Sequence, residues 1–250
     1  RASGDAERLR ERAVLSGAVV VFFLVGYFGV GWLATDPADA RLLVTPLDAA
    51  IPFLLGSVVV YWSILPMGLL PLFVIRDPAV FRRAALAYAV TIAAALAAFV
   101  VFPVTSHGFR PDAQSYSSAG FEGWLLQLLY FLDPPMNLFP SLHLALAFLA
   151  ALAAWHVRRR LGALAVAWTV CIAVSVCTTK QHFVVDVAAG IALGGLAHFA
   201  FVASSKITAP ASATFGARGL ALFGAVVALF YAGLYYAYKV GVAPWTWAIG

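Results

Sequence analysis

Long apolar runs separated by short polar stretches divide the chain into seven segments, roughly 13–35, 50–75, 84–104, 141–157, 161–179, 183–205 and 220–238. A helix needs about 20 apolar residues to cross the hydrocarbon core of a bilayer, so each run predicts a membrane helix. The fourth run is short, and Arg158, Arg159 and Arg160 end it abruptly. The second contains Pro66 and Pro71, each of which removes a backbone donor and predicts a kink. The sixth carries a single charge, Asp186, one turn inside its start. Between the third and fourth runs lies the longest connection, Thr105 to Pro140, and within it the stretch Phe121 to Leu132 is aromatic and aliphatic. That pattern predicts a short helix at the membrane interface, suited to covering a site, guiding a lipid into it, or simply anchoring the fold.

Composition agrees with this pattern. Of the 250 residues 63% are hydrophobic and 11% charged, with a mean hydropathy of +0.93, against about 25% charged residues in water-soluble domains. The expected class is an all-α polytopic membrane protein of one domain, residues 1–250. A cytoplasmic N-terminus (1–12) precedes a six-helix core (13–205), a cytoplasmic loop (206–219) and an additional seventh helix (220–238). The first apolar run is longer than a signal-peptide core and has no small-residue cleavage site after it, so it is expected to be retained as an anchor. Cys171 and Cys177 share one apolar run and read as small core residues, not a disulfide.

The formal charge of +5 bears on orientation, not on nucleic acid, which is not an expected partner. Arg41, Arg110, Lys180 and Lys239 follow the odd-numbered segments, whereas the other 12 of the 16 basic residues lie at the N-terminus and after the even-numbered ones. Basic residues favour the cytoplasmic side. The N-terminus is therefore expected to be cytoplasmic, in the plasma or inner membrane, with the loops after odd-numbered helices outside.

Two outer stretches carry chemistry. Asn137-Leu138-Phe139-Pro140-Ser141-Leu142-His143 opens the fourth helix, and Thr178-Thr179-Lys180-Gln181-His182-Phe183-Val184-Val185-Asp186 opens the sixth. Polar clusters at the mouths of membrane helices are costly to keep and mark functional sites. Parallel fourth and sixth helices would place their N-termini side by side, two dipole ends with unpaired N–H groups suited to an anion. His182 and Asp186 have the spacing of one helix face. A carboxylate on Nδ1 would leave Nε2 as a nucleophile. His143 is then the candidate general acid and base, and Ser141, Lys180 and Arg110 are candidate phosphate ligands. His107 and Asp133 are weaker candidates, Asp133 reading most simply as a turn or cap. His156 and His198 read as structural. Nothing beyond His182 and Asp186 clusters as metal ligands, and neither metal nor cofactor is expected.

These residues resemble the type 2 phosphatidic acid phosphatase superfamily, whose motifs are KxxxxxxRP, PSGH and SRxxxxxHxxxD. The second stands here as Pro140-Ser141-Leu142-His143. The third stands as Ser175, Val176, His182 and Asp186, and the first is reduced to Arg110-Pro111 with Pro103 in place of its lysine. The resemblance covers roughly residues 13–205. It implies a six-helix core, His182 as nucleophile, His143 as acid, and a lipid phosphate as substrate among membrane lipids. Leu142 in place of the motif glycine is similar to the inositol phosphorylceramide synthase-like branch, whose members pass the phosphoryl-linked group to an alcohol instead of water. The expected function is thus a metal-independent lipid phosphatase working through a phosphohistidine at the extracytoplasmic face. A lipid head-group phosphotransferase is the first alternative, with Leu142 and the Phe121–Leu132 segment excluding water. A proton-coupled transporter is the non-enzyme alternative, but it would need polar residues continuing through the midplane, and the fourth to sixth segments have almost none below Asp186.

Overall fold

Alanine, leucine and valine dominate the apolar runs, and in the computed structural model they are helical. The structure describes residues 2–33, 40–133, 135–205 and 217–246. Among these residues the helices are α1 (Ala2–Leu33), α2 (Pro46–Ala50), α3 (Val58–Trp62), α4 (Ile64–Val74), α5 (Pro78–Val101), α6 (Gly120–Leu132), α7 (Leu142–Val157), α8 (Arg159–Thr178), α9 (Val184–Ala197) and α10 (Ala217–Lys239). Six helical stretches are long and apolar enough to cross a membrane: Leu9–Val30, Leu55–Val74, Pro78–Val101, Arg159–Thr178, Val184–Val202 and Arg218–Lys239. The shorter apolar helix α7 makes the seventh apolar segment. The protein is therefore an all-α multi-pass membrane protein. Arg1, Lys206 and most of the expected 206–219 loop lie outside the described residues.

Three local departures from the sequence pattern have physical causes. α1 begins at Ala2, not near residue 13, because the preceding Ala, Glu, Arg and Leu residues are good helix formers. The second segment breaks at Ser63 into α3 and α4. Pro66 lacks an N–H and its ring crowds the carbonyl four residues back, so the regular ladder cannot run through. Cys171, expected in the core, is exposed on α8, whereas Cys177 is buried.

α7 is the hub of the bundle and packs on α4, α5, α8 and α9. Leu144, Ala145, Ala147, Leu149, Ala150, Ala151, Ala153 and Ala154 are all buried. A helix apolar on every side belongs inside a protein, and α7, screened from lipid by its neighbours, need not match the bilayer thickness. Its contact with α9 brings backbone against backbone. A Cβ on Gly190 would stand 2.4 Å from the Ser141 carbonyl oxygen, and one on Gly194 2.3 Å from that of Ala145. Glycines four apart on one face let two backbones touch, as in membrane helix pairs generally.

α6 is docked more firmly than an interfacial anchor would be. It buries Trp124, Leu125, Leu126, Leu128 and Leu129. Trp62 donates to the Leu125 carbonyl at 3.1 Å, and the Trp124 indole donates to that of Val242 at 2.6 Å. The C-terminus of α6 thereby delivers Asp133 and the Tyr130 carbonyl to a fixed place.

Candidate active site

Ser141 caps α7 by accepting the Leu144 amide at 3.4 Å, and its own amide donates to the Asp186 carbonyl at 3.0 Å. The starts of α7 and α9 are thus tied backbone to backbone. The chain enters α9 through a tight turn in which Lys180 takes a left-handed φ of 56° and the amides of Gln181 and His182 both donate to the Val176 carbonyl. His182 lies in this turn, two residues before α9, so it reaches Asp186 from a loop and not across one helix face as its spacing suggested. The Asp186 carboxylate accepts the Phe183 amide at 2.9 Å and stands 3.5 Å from His182 Nδ1. His182 and Asp186 are both buried.

The other imidazole nitrogen of His182, Nε2, is 3.2 Å from the Ser141 hydroxyl. The His143 ring faces His182 at 6.5 Å between centroids. Ser141, His143, His182 and Asp186 are therefore brought together. His143 is largely buried and ringed by Phe23, Tyr27 and Tyr61 from α1 and α3.

Asp133, a weaker candidate that the sequence read most simply as a turn or cap, is the main addition. It is buried, and its Oδ2 stands 4.0 Å from His143 Nδ1. The same carboxylate accepts the hydroxyl of Tyr27, that of Tyr61 at 3.1 Å, and the Gln181 amide at 2.6 Å. Arg110 joins through Gln181, donating to its Oε1 at 2.7 Å and to the Asp133 carbonyl at 2.6 Å while stacking on the Tyr130 ring. Burial lowers the Arg110 pKa and the Asp133 charge opposes that shift; a guanidinium stays charged through such changes. Its Nε has no partner among the described residues. The sequence offered Asp133 only as a weaker candidate and gave no signal for Gln181, because their partners lie up to 106 residues away.

Lys180 is engaged elsewhere. Its ammonium donates to the Asp48 carbonyl at 3.1 Å and that of Ile51 at 2.5 Å, closing the C-terminus of α2, and it sits over the Phe109 ring. Burial lowers its pKa against the pull of Asp48. The Asp48 carboxylate in turn accepts the Val184 amide at 2.8 Å. The N-terminus of α9 is thus partly occupied by the protein's own carboxylates, Asp48 and Asp186, and is less open to an anion than expected. The amides of Leu142 and His143 at the start of α7 have no intrahelical carbonyl to meet. Leu142 is buried and packs with Tyr27, Ile92, Leu96 and Phe99 in a core cluster. His107 is exposed.

Two histidines facing one another, each with a carboxylate at Nδ1, can hand a group to one ring while the other moves a proton. The sequence model of the PAP2 superfamily matches residues 45–200. That stretch runs from the N-cap of α2 into the last turn of the sixth apolar segment and contains every residue of the site except Tyr27 and Phe23. No curated protein and no solved structure matches the chain.

Proposed function

The chain belongs to the PAP2 superfamily, the type 2 phosphatidic acid phosphatases, and from that membership we propose that it is a lipid phosphatase that forms a phosphohistidine on His182. The superfamily supports phosphatase or phosphotransferase chemistry on a lipid. The observation that carries the finer reading is the pairing of each facing histidine with its own carboxylate, His182 with Asp186 and His143 with Asp133. Distances of 3.5 and 4.0 Å are long for hydrogen bonds, and such contacts tighten when substrate is bound.

In the proposed reaction the substrate phosphate lies between the two rings, held by Arg110, the Ser141 hydroxyl and the free amides of α7. Asp186 keeps the His182 proton on Nδ1, so Nε2 attacks phosphorus. The bond from phosphorus to the lipid oxygen breaks, and His143 gives its proton to that oxygen. Water then returns a proton to His143 and adds to phosphorus, the phosphorus–nitrogen bond breaks, and inorganic phosphate leaves. Phosphoryl transfer asks mostly for positioning and charge stabilisation, which this set supplies. Lys180 serves by holding α2 against the His182 turn. The site faces the extracytoplasmic side, opposite the arginine-rich end.

Trapping the acid-labile, alkali-stable phosphohistidine tests the first step. Brief reaction with a lipid labelled at phosphorus, followed by denaturation at alkaline pH, should leave label on the wild-type protein and none on His182→Ala. Labelled His182→Ala would remove the proposed nucleophile. Head-group transfer shares this step, and the aromatic wall around His143 favours it by restricting water. Added ceramide, diacylglycerol or inositol redirects label into a new lipid under that reading and leaves the products unchanged under hydrolysis.

A further inference from the structure

Below His143 the bundle holds an apolar cavity of about 310 Å³. Its walls come from α1, α4, α5 and α7, including Phe23, Gly68, Leu69, Ala85 and Leu146. Along α5 it runs from Phe81 to Ile92, eleven residues or about 16 Å at 1.5 Å per residue. That is close to half of a bilayer core about 30 Å thick, the depth one leaflet's acyl chain occupies. At the end away from His143 it meets a second pocket of about 880 Å³, with which it shares Ser16, Leu72 and Phe81. The second pocket is lined by Arg12, Arg76, Arg82 and Arg218, with Glu11 as its one acidic residue.

The four arginines are not equivalent. Arg12 donates to the Leu72 and Ile75 carbonyls, closing the C-terminus of α4. Arg82 is paired with Glu11. Arg76 and Arg218 are exposed and make no hydrogen bond or ion pair among the described residues. They bring two guanidinium groups, unpaired among the described residues, to the mouth of a chain-sized apolar cavity.

We propose that this composite pocket is a binding site for one anionic phospholipid of the basic-end leaflet, distinct from the substrate. Its phosphate rests on Arg76 and Arg218, and one acyl chain fills the cavity up to His143 and Leu146. Charge complementarity sets this orientation, since a substrate tail descending from the histidines would end its apolar tip among arginines. The bound chain forms the floor of the histidine site, an apolar surface beneath His143.

The test reads lipid binding, not turnover, and so stands apart from the catalytic reading. The full chain carrying His182→Ala is placed in nanodiscs of equal parts phosphatidylglycerol and phosphatidylcholine, and retained lipid is identified by native mass spectrometry. A juxtamembrane arginine contributes about fivefold to binding of an anionic lipid. Retention of phosphatidylglycerol over phosphatidylcholine is therefore expected at about thirtyfold, falling to near parity in Arg76→Gln/Arg218→Gln, whose exposed positions leave the fold intact. Gly68→Leu, whose side chain enters space in which a Cβ meets nothing within 4 Å, should expel the lipid without touching an arginine. Equal retention of the two lipids by the parent, or selectivity that survives the double arginine change, would overturn the proposal. So would displacement of the bound phosphatidylglycerol by a long-chain phosphonate that binds at the histidines, because the cavity would then belong to the substrate tail.

Discussion

Asp133 and Lys180 exchange the roles their neighbours in sequence suggested. Asp133 precedes a proline and has the look of a turn residue, yet it gathers Tyr27, Tyr61, Gln181 and His143 around one buried carboxylate. Asp133→Asn keeps the shape and removes the charge that orients His143. A charge-assisted hydrogen bond is worth about 1.5–3 kcal/mol, so kcat should fall about 10- to 100-fold while KM changes little. The loss should be large with a lipid alkoxide as leaving group and small with nitrophenyl phosphate, whose leaving group hardly needs a proton. An equal loss on both substrates would make Asp133 a structural residue. Lys180 has its ammonium on two α2 carbonyls. Lys180→Met should lower stability by about 1–3 kcal/mol, the cost of leaving buried acceptors unpaired, and leave KM for lipid phosphate unchanged. A selective rise in KM without loss of thermal stability would return it to the phosphate.

Among the elements, the α7–α9 contact decides whether the two histidines meet. The Ser141 amide reaches the Asp186 carbonyl only because Gly190 has no side chain. Gly190→Ala puts a methyl group 2.4 Å from the Ser141 carbonyl oxygen and forces the helices apart, at about 1–3 kcal/mol of overpacking. Activity should be lost even where the protein still purifies as a monodisperse species. Gly195→Ala is the control, since its Cβ would meet the Phe148 ring at an ordinary 3.5 Å and should be silent. If both variants keep full activity, the histidine spacing does not depend on this contact. α6 acts through its C-terminus, which presents Asp133 to His143 and the Tyr130 and Asp133 carbonyls to Arg110.

At the scale of the whole molecule, the placement of the histidines at one end and Arg12, Arg76 and Arg159 at the other turns the distribution of basic residues into a prediction of sidedness. Cysteines introduced at Gln114 and Arg159, both exposed, should label from opposite sides of intact cells, Gln114 from outside, in a background lacking Cys171 and Cys177. Labelling from the same side would place the site and the arginines on one face and remove the extracytoplasmic reading.

Much of this architecture was legible in the sequence because lipid imposes a one-dimensional constraint: a span must be long, apolar and helical, whatever its neighbours are. Apolar run length alone therefore located the seven segments, and the two histidine stretches stood out as polar residues where polarity is expensive. Spacing also brought His182 and Asp186 together, although the link is a turn closed on the Val176 carbonyl and not a helix face. What the tertiary structure decided depends on which surfaces touch. Asp133 pairs with residues from α1, α3 and the His182 turn, Leu142 points into the α5 packing, Lys180 is spent on α2, and a cavity opens between four helices. None of these has a local signature, because a side chain's partner in a bundle is set by helix rotation and approach, which two glycines on α9 control from a distance.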